Sequence, residues 1–160
     1  MINQKMVTIL ERQLEPTLQM LEQLVEVCSE EIWQDQKTLY WKHILHAITG
    51  IEFWFRQEGE QFHLPDFNKD VTPDFDKECK DHPTKYELAK YINEMKQKSQ
   101  EFFNRLNDEL LLEPCDIYNK ITKADAILMQ VRHIQHHIGY CNNILSARKN
   151  ETVKWLGHGE

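Results

Sequence analysis

The sequence predicts an all-α fold, a four-helix bundle in one domain over residues 1–160, with a long crossover connection between the second and third helices. Three observations lead there. Four segments repeat apolar residues at steps of three and four, the period of a helix with one buried face. Glycine and proline are scarce, five of each, and four of the prolines fall between the periodic segments. A chain of 160 residues has the length of one domain and can bury a sizeable core.

The first helix is read from Val7, Leu10, Leu14, Leu18, Leu21, Leu24 or Val25, and Cys28, with Pro16 expected to bend it. The second runs from about Thr38 to Arg56 and is rich in aromatics: Tyr40, Trp41, Phe53, Trp54 and Phe55. The third opens at Thr84, where Thr84-Lys85-Tyr86-Glu87 fits a capping box, and continues through Leu88, Tyr91, Ile92, Met95, Phe102 and Leu106 to Leu110. The fourth starts at Thr122, with Asp125 in its first turn, and passes through Ile127, Val131, Ile134, Ile138 and Leu145 to about Ala147. Residues Gln57 to Pro83 show little periodicity. Helix–helix connections usually take about 2–8 residues; one this long can cross the bundle and let the second and third helices run parallel. The last ten residues read as a tail anchored by Trp155 and Leu156.

Asp and Glu outnumber Lys and Arg by 26 to 19, a net charge of −7. An acidic chain without a basic patch is poorly suited to nucleic acid, whose affinity for proteins comes largely from phosphate neutralisation, and equally to an anionic membrane surface. No apolar run approaches the roughly 20 residues that cross a bilayer, and the start Met1-Ile2-Asn3-Gln4-Lys5 lacks a signal-peptide core. Cys28, Cys79, Cys115 and Cys141 form no C-x-x-C pair and are expected to be reduced and mostly buried. The chain is expected to be cytoplasmic.

The chemistry concentrates in Arg132-His133-Ile134-Gln135-His136-His137-Ile138-Gly139-Tyr140, which holds three of the eight histidines. His133 and His137 are four apart and so share one helical face, a spacing at which two imidazoles can bind one divalent ion. The 133/136 pair is also geometrically possible. Met129, His133, His137 and Cys141 form a stripe beside the core positions Ile134 and Ile138, which turns that stripe inward and His136 toward the rim. A third imidazole can come from His43 or His46 on the second helix. Three histidines would leave a coordination position open, the pattern of a catalytic zinc, and imidazole favours zinc, nickel, copper or iron over magnesium and calcium. No H-E-x-x-H is present. Cys141 reads as a core thiol rather than a fourth ligand, and the aromatic cluster as core rather than a ligand cage.

At these residues the chain resembles the DinB-like (DinB/YfiT-like) superfamily of metal-binding four-helix bundles. "YWKHILHAITGIEFWF" (Tyr40 to Phe55) is similar to the second-helix pattern of that family, and "VRHIQHHIGYCNNIL" (Val131 to Leu145) to its fourth-helix R-H-x-Q-H-H-x-G-Q pattern. "VKWLG" in the tail is similar to a common family ending. The resemblance implies that His46, His133 and His137 are the metal ligands, with His43 and His136 outside the coordination sphere. Tyr140 departs from the family, where many relatives have glutamine. It further implies zinc or nickel as the divalent metal ion and frequent homodimers. Some relatives are thiol transferases using a low-molecular-weight thiol, and others are isomerases. The expected function is a metal-dependent enzyme acting on a small-molecule substrate, a thiol S-transferase or hydrolase-like relative, with no general base assignable. The competing expectation is a non-catalytic metal-binding or stress-related protein.

Overall fold

The computed structural model describes residues 5–160. Residues 1–4, where the expected absence of a signal core begins, lie outside the described residues. Five α-helices and no strand occur among the described residues: α1 (Met6–Val27), α2 (Glu30–Gln34), α3 (Tyr40–Trp54), α4 (Lys85–Asn104) and α5 (Lys123–Ala147). The four long helices are the four periodic segments. In space α1 and α3 each lie against both α4 and α5.

Local chemistry explains the boundaries. Thr84 caps α4 and Thr122 caps α5, each in a reciprocal capping box, with Glu87 and Asp125 returning the bond to the cap backbone. Pro16 sits inside an unbroken α1 and is itself buried. The sequence reading of the third helix runs too far: α4 ends at Asn104, and Leu110–Leu112 form a separate 3₁₀ turn. Two side chains in the intervening residues serve other backbones. Asn107 accepts from the Leu110 N–H at 2.8 Å, and Asp108 accepts from the Val7 N–H at 3.0 Å, supplying α1 with the cap that Lys5 cannot. The short α2 was not anticipated, although Ser29 followed by Glu30 and Glu31 is a helix-start pattern; the Ser29 hydroxyl accepts from the Ile32 N–H.

Helix directions follow from named contacts. Glu52 meets Lys98 at 3.0 Å, and Phe55 stacks on Phe102 at 4.1 Å, so α3 and α4 advance together. Their connection, residues 55–84, contains no helix. Its turns are held by side-chain carboxylates: Asp66 accepts from the Asn68 N–H and Asp74 from the Asp76 N–H, at 2.8 and 3.0 Å. Its end is fixed where the Trp33 indole N–H donates to the Pro83 carbonyl at 2.8 Å.

The core is continuous along the bundle. Leu14, Leu21 and Leu24 of α1, Trp41, Ile44, Leu45 and Ile48 of α3, Leu88 and Ile92 of α4, and Ile127, Ile134 and Leu145 of α5 are buried. The tail is anchored in part as expected: Leu156 packs against the core, whereas Trp155 does not. Trp155 is 72% exposed, while Val153 is buried and exchanges two hydrogen bonds of 2.9 Å with the Asn142 side chain. The amide of Asn142 can serve both backbone groups at once, and the indole of Trp155 finds no comparable slot. All four cysteines are free, three of them buried. No helix among the described residues is long and apolar enough to cross a membrane.

Truncating a core leucine removes its transfer free energy and leaves a cavity. Leu21→Ala, at a fully buried position, should lower the unfolding free energy by about 2–5 kcal/mol in urea titrations. Leu128→Ala, at a position 46% exposed, should change it by less than about 0.5 kcal/mol.

Candidate metal centre

The site lies between α3 and α5, which run antiparallel. Tyr40 opposes Cys141, His43 opposes His137, His46 opposes His133 and Gly50 opposes Gln130. Steps of three and four residues along both helices keep these pairs on the facing sides. Gly50 lies against the Gln130 side chain. A Cβ placed there would lie 2.3 Å from the side-chain Oε1 of Gln130 and 3.3 Å from Nδ1 of His133, so a larger residue would have to displace the Gln130 amide. Oε1 of Gln130 is buried against that glycine and has no hydrogen-bond partner among the described residues.

His46, His133 and His137 come together: each offers a ring nitrogen, and the three nitrogens lie within 4.8 Å of one another. A tetrahedral zinc with bonds of about 2.0–2.1 Å needs its donors about 3.4 Å apart, so modest ring rotations close this set on an ion. His137 is buried, and His46 and His133 are half-buried. The structure places His136 on the exposed face of α5 and Cys141 in the core, its thiol 3.8 Å from the Tyr40 carbonyl.

Around the trio is a layer that fixes ring orientation. Nδ1 of His46 is 3.0 Å from the Pro73 carbonyl. A carbonyl only accepts, so this nitrogen carries the hydrogen and the Nε2 lone pair is left for an ion. Nδ1 of His137 is 3.1 Å from Nδ1 of His43; when His137 donates, its Nε2 is likewise free. His43 is thus an orienting partner, a role that its spacing from His46 did not reveal because it depends on register with α5. Tyr140, where the family pattern has glutamine, stacks on His43 at 4.3 Å. Phe75 covers the same rings from the connecting segment, 4.7 Å from His43 and 5.2 Å from His46.

Burial, reinforced by neighbouring imidazoles, pushes the pKa of His133 and His43 down to about 4 and that of His137 to about 3. His133 and His137 are therefore neutral at pH 7, the form that binds metals. Desolvation pushes the Cys141 thiol up, consistent with its core role.

A cleft of about 940 Å³ opens beside the trio. His46 and His133 line it, together with Phe53, Trp54 and Phe62, and with Gln130, Arg132 and His136. The aromatic-rich second helix is therefore divided. Trp41 and Phe55 are fully buried core residues, as expected, whereas Phe53 and Trp54 face the cleft.

Comparison with known protein families identifies a match to the DinB superfamily over residues 13–141, and the chain belongs to that superfamily. No curated protein and no solved structure matches the chain.

Two outcomes follow from this geometry. In metal-free protein the lowered histidine pKa values mean that the unfolded chain binds more protons than the folded one below the ordinary value of 6.5 and down to about 4. Stability is then complete above pH 6.5 and falls as pH drops toward 4. Carboxylates such as Glu60, lowered from 4.5, add their loss only further down. Thermal melts of chelator-treated protein should show a midpoint that declines already between about pH 6.5 and 5, and His133→Ala should flatten that decline. Second, His43→Ala should weaken zinc binding by about 10–100-fold in chelator competition, because His137 loses the partner that orients it.

Proposed function

From family membership and this geometry, we propose that the chain is a divalent-metal-dependent enzyme in which His46, His133 and His137 hold zinc or nickel. We further propose that it acts on a small molecule using a low-molecular-weight thiol or water as the nucleophile. The observation that carries the reading is the position of the trio: three imidazoles meet beside an open cleft large enough for an organic substrate, and two of them, His46 and His133, line it. Three protein donors leave part of a four-coordinate sphere for another ligand, and His46 and His133 bring that side to the cleft.

A divalent ion held there supplies Lewis acidity, which lets a thiol or water ionise near neutral pH. The chain's own residues supply the rest. His46 presents Nε2 because Pro73 holds its Nδ1–H. His137 presents Nε2 when its Nδ1–H donates to Nδ1 of His43. Phe75 packs over the rings on one side, and burial keeps His133 and His137 unprotonated, so protons do not compete with the ion there at neutral pH. The substrate enters beside residues 62–77 of the connecting segment and α5.

The test is His133→Ala in untagged protein, read by elemental analysis, circular dichroism and turnover on a panel of thiols and electrophiles with added zinc or nickel. The variant should lose metal and activity together, activity by more than about a hundredfold, since even the loss of an outer orienting group costs about 10–100-fold. It should remain helical, because the core is buried apart from the ion. Equal turnover in both proteins rejects metal catalysis. Tight metal binding without turnover on any substrate turns the assignment to a binding protein.

A further inference from the structure

The cleft beside the histidines has a composition of its own. Its far wall is aromatic. Phe53 meets Trp54 at 5.2 Å and Phe62 at 5.5 Å, both edge to face. The Arg56 guanidinium backs this wall, 4.8 Å from the Phe53 ring and 5.4 Å from that of Phe62. Phe62 and Leu64 keep 37% and 47% of their surface exposed. Apolar side chains held open around a concavity are the usual lining of a small-molecule site, and rings arranged this way favour a flat apolar body.

The charges facing the cleft run against those of the chain. The net charge is −7, yet the charged residues lining the cleft are Lys77, Arg132 and Asp74. Lys77 and Asp74 pair with each other at 3.4 Å. That leaves Arg132, which forms no ion pair with an acidic group among the described residues. Arg12, Arg56 and Arg105 likewise form no ion pair among the described residues, but Arg132 is the arginine that lines the cleft. An open guanidinium at the edge of an apolar concavity is a planar donor suited to carboxylate, sulfonate or phosphate oxygens. It also disfavours a cationic ligand that the aromatic wall alone would accept.

We infer that the cleft binds an organic anion with a flat apolar body, the body lying against Phe53, Trp54 and Phe62 and the anionic group meeting Arg132. This deepens the function proposed above and rests on it for the ligand's role as substrate; the binding itself needs no metal. The volume, about 940 Å³, lies near the top of the usual range for small-molecule sites, roughly 300–1,000 Å³. It exceeds what a water or a bare thiol occupies.

Three probes with one ring and three charges test it: naphthalene-2-sulfonate, 2-naphthalenemethanol and 2-naphthylmethylammonium, titrated calorimetrically into the full chain after metal removal. A sulfonate is a weak metal ligand, so the ranking should persist when zinc is restored. The sulfonate should bind about tenfold tighter than the alcohol, as one charge-assisted contact allows, and the ammonium most weakly. Arg132→Gln should bring sulfonate and alcohol level. Phe62→Ser, on a half-exposed position outside the core, should weaken all three by about fivefold while keeping their order. Equal binding of sulfonate and alcohol to the wild type, an unchanged ranking in Arg132→Gln, or no binding of any probe would overturn the inference. A protein that shows the ranking but holds no metal sinks the proposed function and leaves this inference standing. A protein that holds metal and turns over substrate without the ranking does the reverse.

Discussion

Four contacts tie α3 to α5 along their length: Gly50 against the Gln130 side chain, His46 against His133, His43 against His137, and the Tyr40 carbonyl against the Cys141 thiol. Together these contacts define the height and rotation of one helix against the other. Because the helices are antiparallel, each turn along α3 meets the next turn back along α5. His46 then falls beside His133, His43 beside His137, and Tyr40 beside Cys141. A slip of one residue turns a helical face by about 100° and would send one imidazole into the core and another to solvent. The trio is therefore positioned by packing of the residues around it. It has to be, because desolvated imidazoles within 4.8 Å of one another do not gather by mutual attraction.

The long connection completes the site from outside. Lys42, buried in the first turn of α3, donates from Nζ to the Lys77 carbonyl at 2.6 Å and lies 3.5 Å from the Cys79 sulfur. Cys79 in turn accepts from the Thr72 N–H at 3.3 Å. Between these fixed points lie Pro73, whose carbonyl holds His46, and Phe75, whose ring covers the imidazoles. A buried ammonium is expensive unless its donors are satisfied, and here a backbone carbonyl and a polarisable thiol serve it. The same segment that lets α3 and α4 run in one direction thus builds the roof of the site and one lip of the cleft.

Much of this was legible in the sequence, and for identifiable reasons. Apolar periodicity and the Thr84 and Thr122 capping boxes are local signals, and the four long helices begin close to where those signals put them. The i, i+4 spacing of His133 and His137 needs only the geometry of one helix. The choice of His46 over His43 came from family resemblance, because both lie near one face of α3 and only register with α5 separates them. The same dependence hid the orienting role of His43 and the meaning of Gly50. Trp155 misled because size suggests burial, whereas the bundle offers a slot to Val153 through the Asn142 amide. The end of α4 was missed because Asn107 and Asp108 satisfy other backbone groups rather than continue a helix.

The two faces of α3 divide the common core from the cleft, with Trp54 touching both. Trp41, Ile44, Ile48 and Phe55 are buried in the common core, packed with the side chains of α1, α4 and α5. Phe53 and Trp54, offset on the same helix, border the cleft with residues of the connection. Substituting the first set opens cavities in a close-packed interior, so each change is felt throughout the bundle. Substituting the second set, or the half-exposed Phe62 and Leu64 opposite, changes the shape and chemistry of an open concavity whose neighbours can adjust. A bundle built this way can keep the spacing of His46, His133 and His137 while the cleft beside them is remodelled for a different ligand.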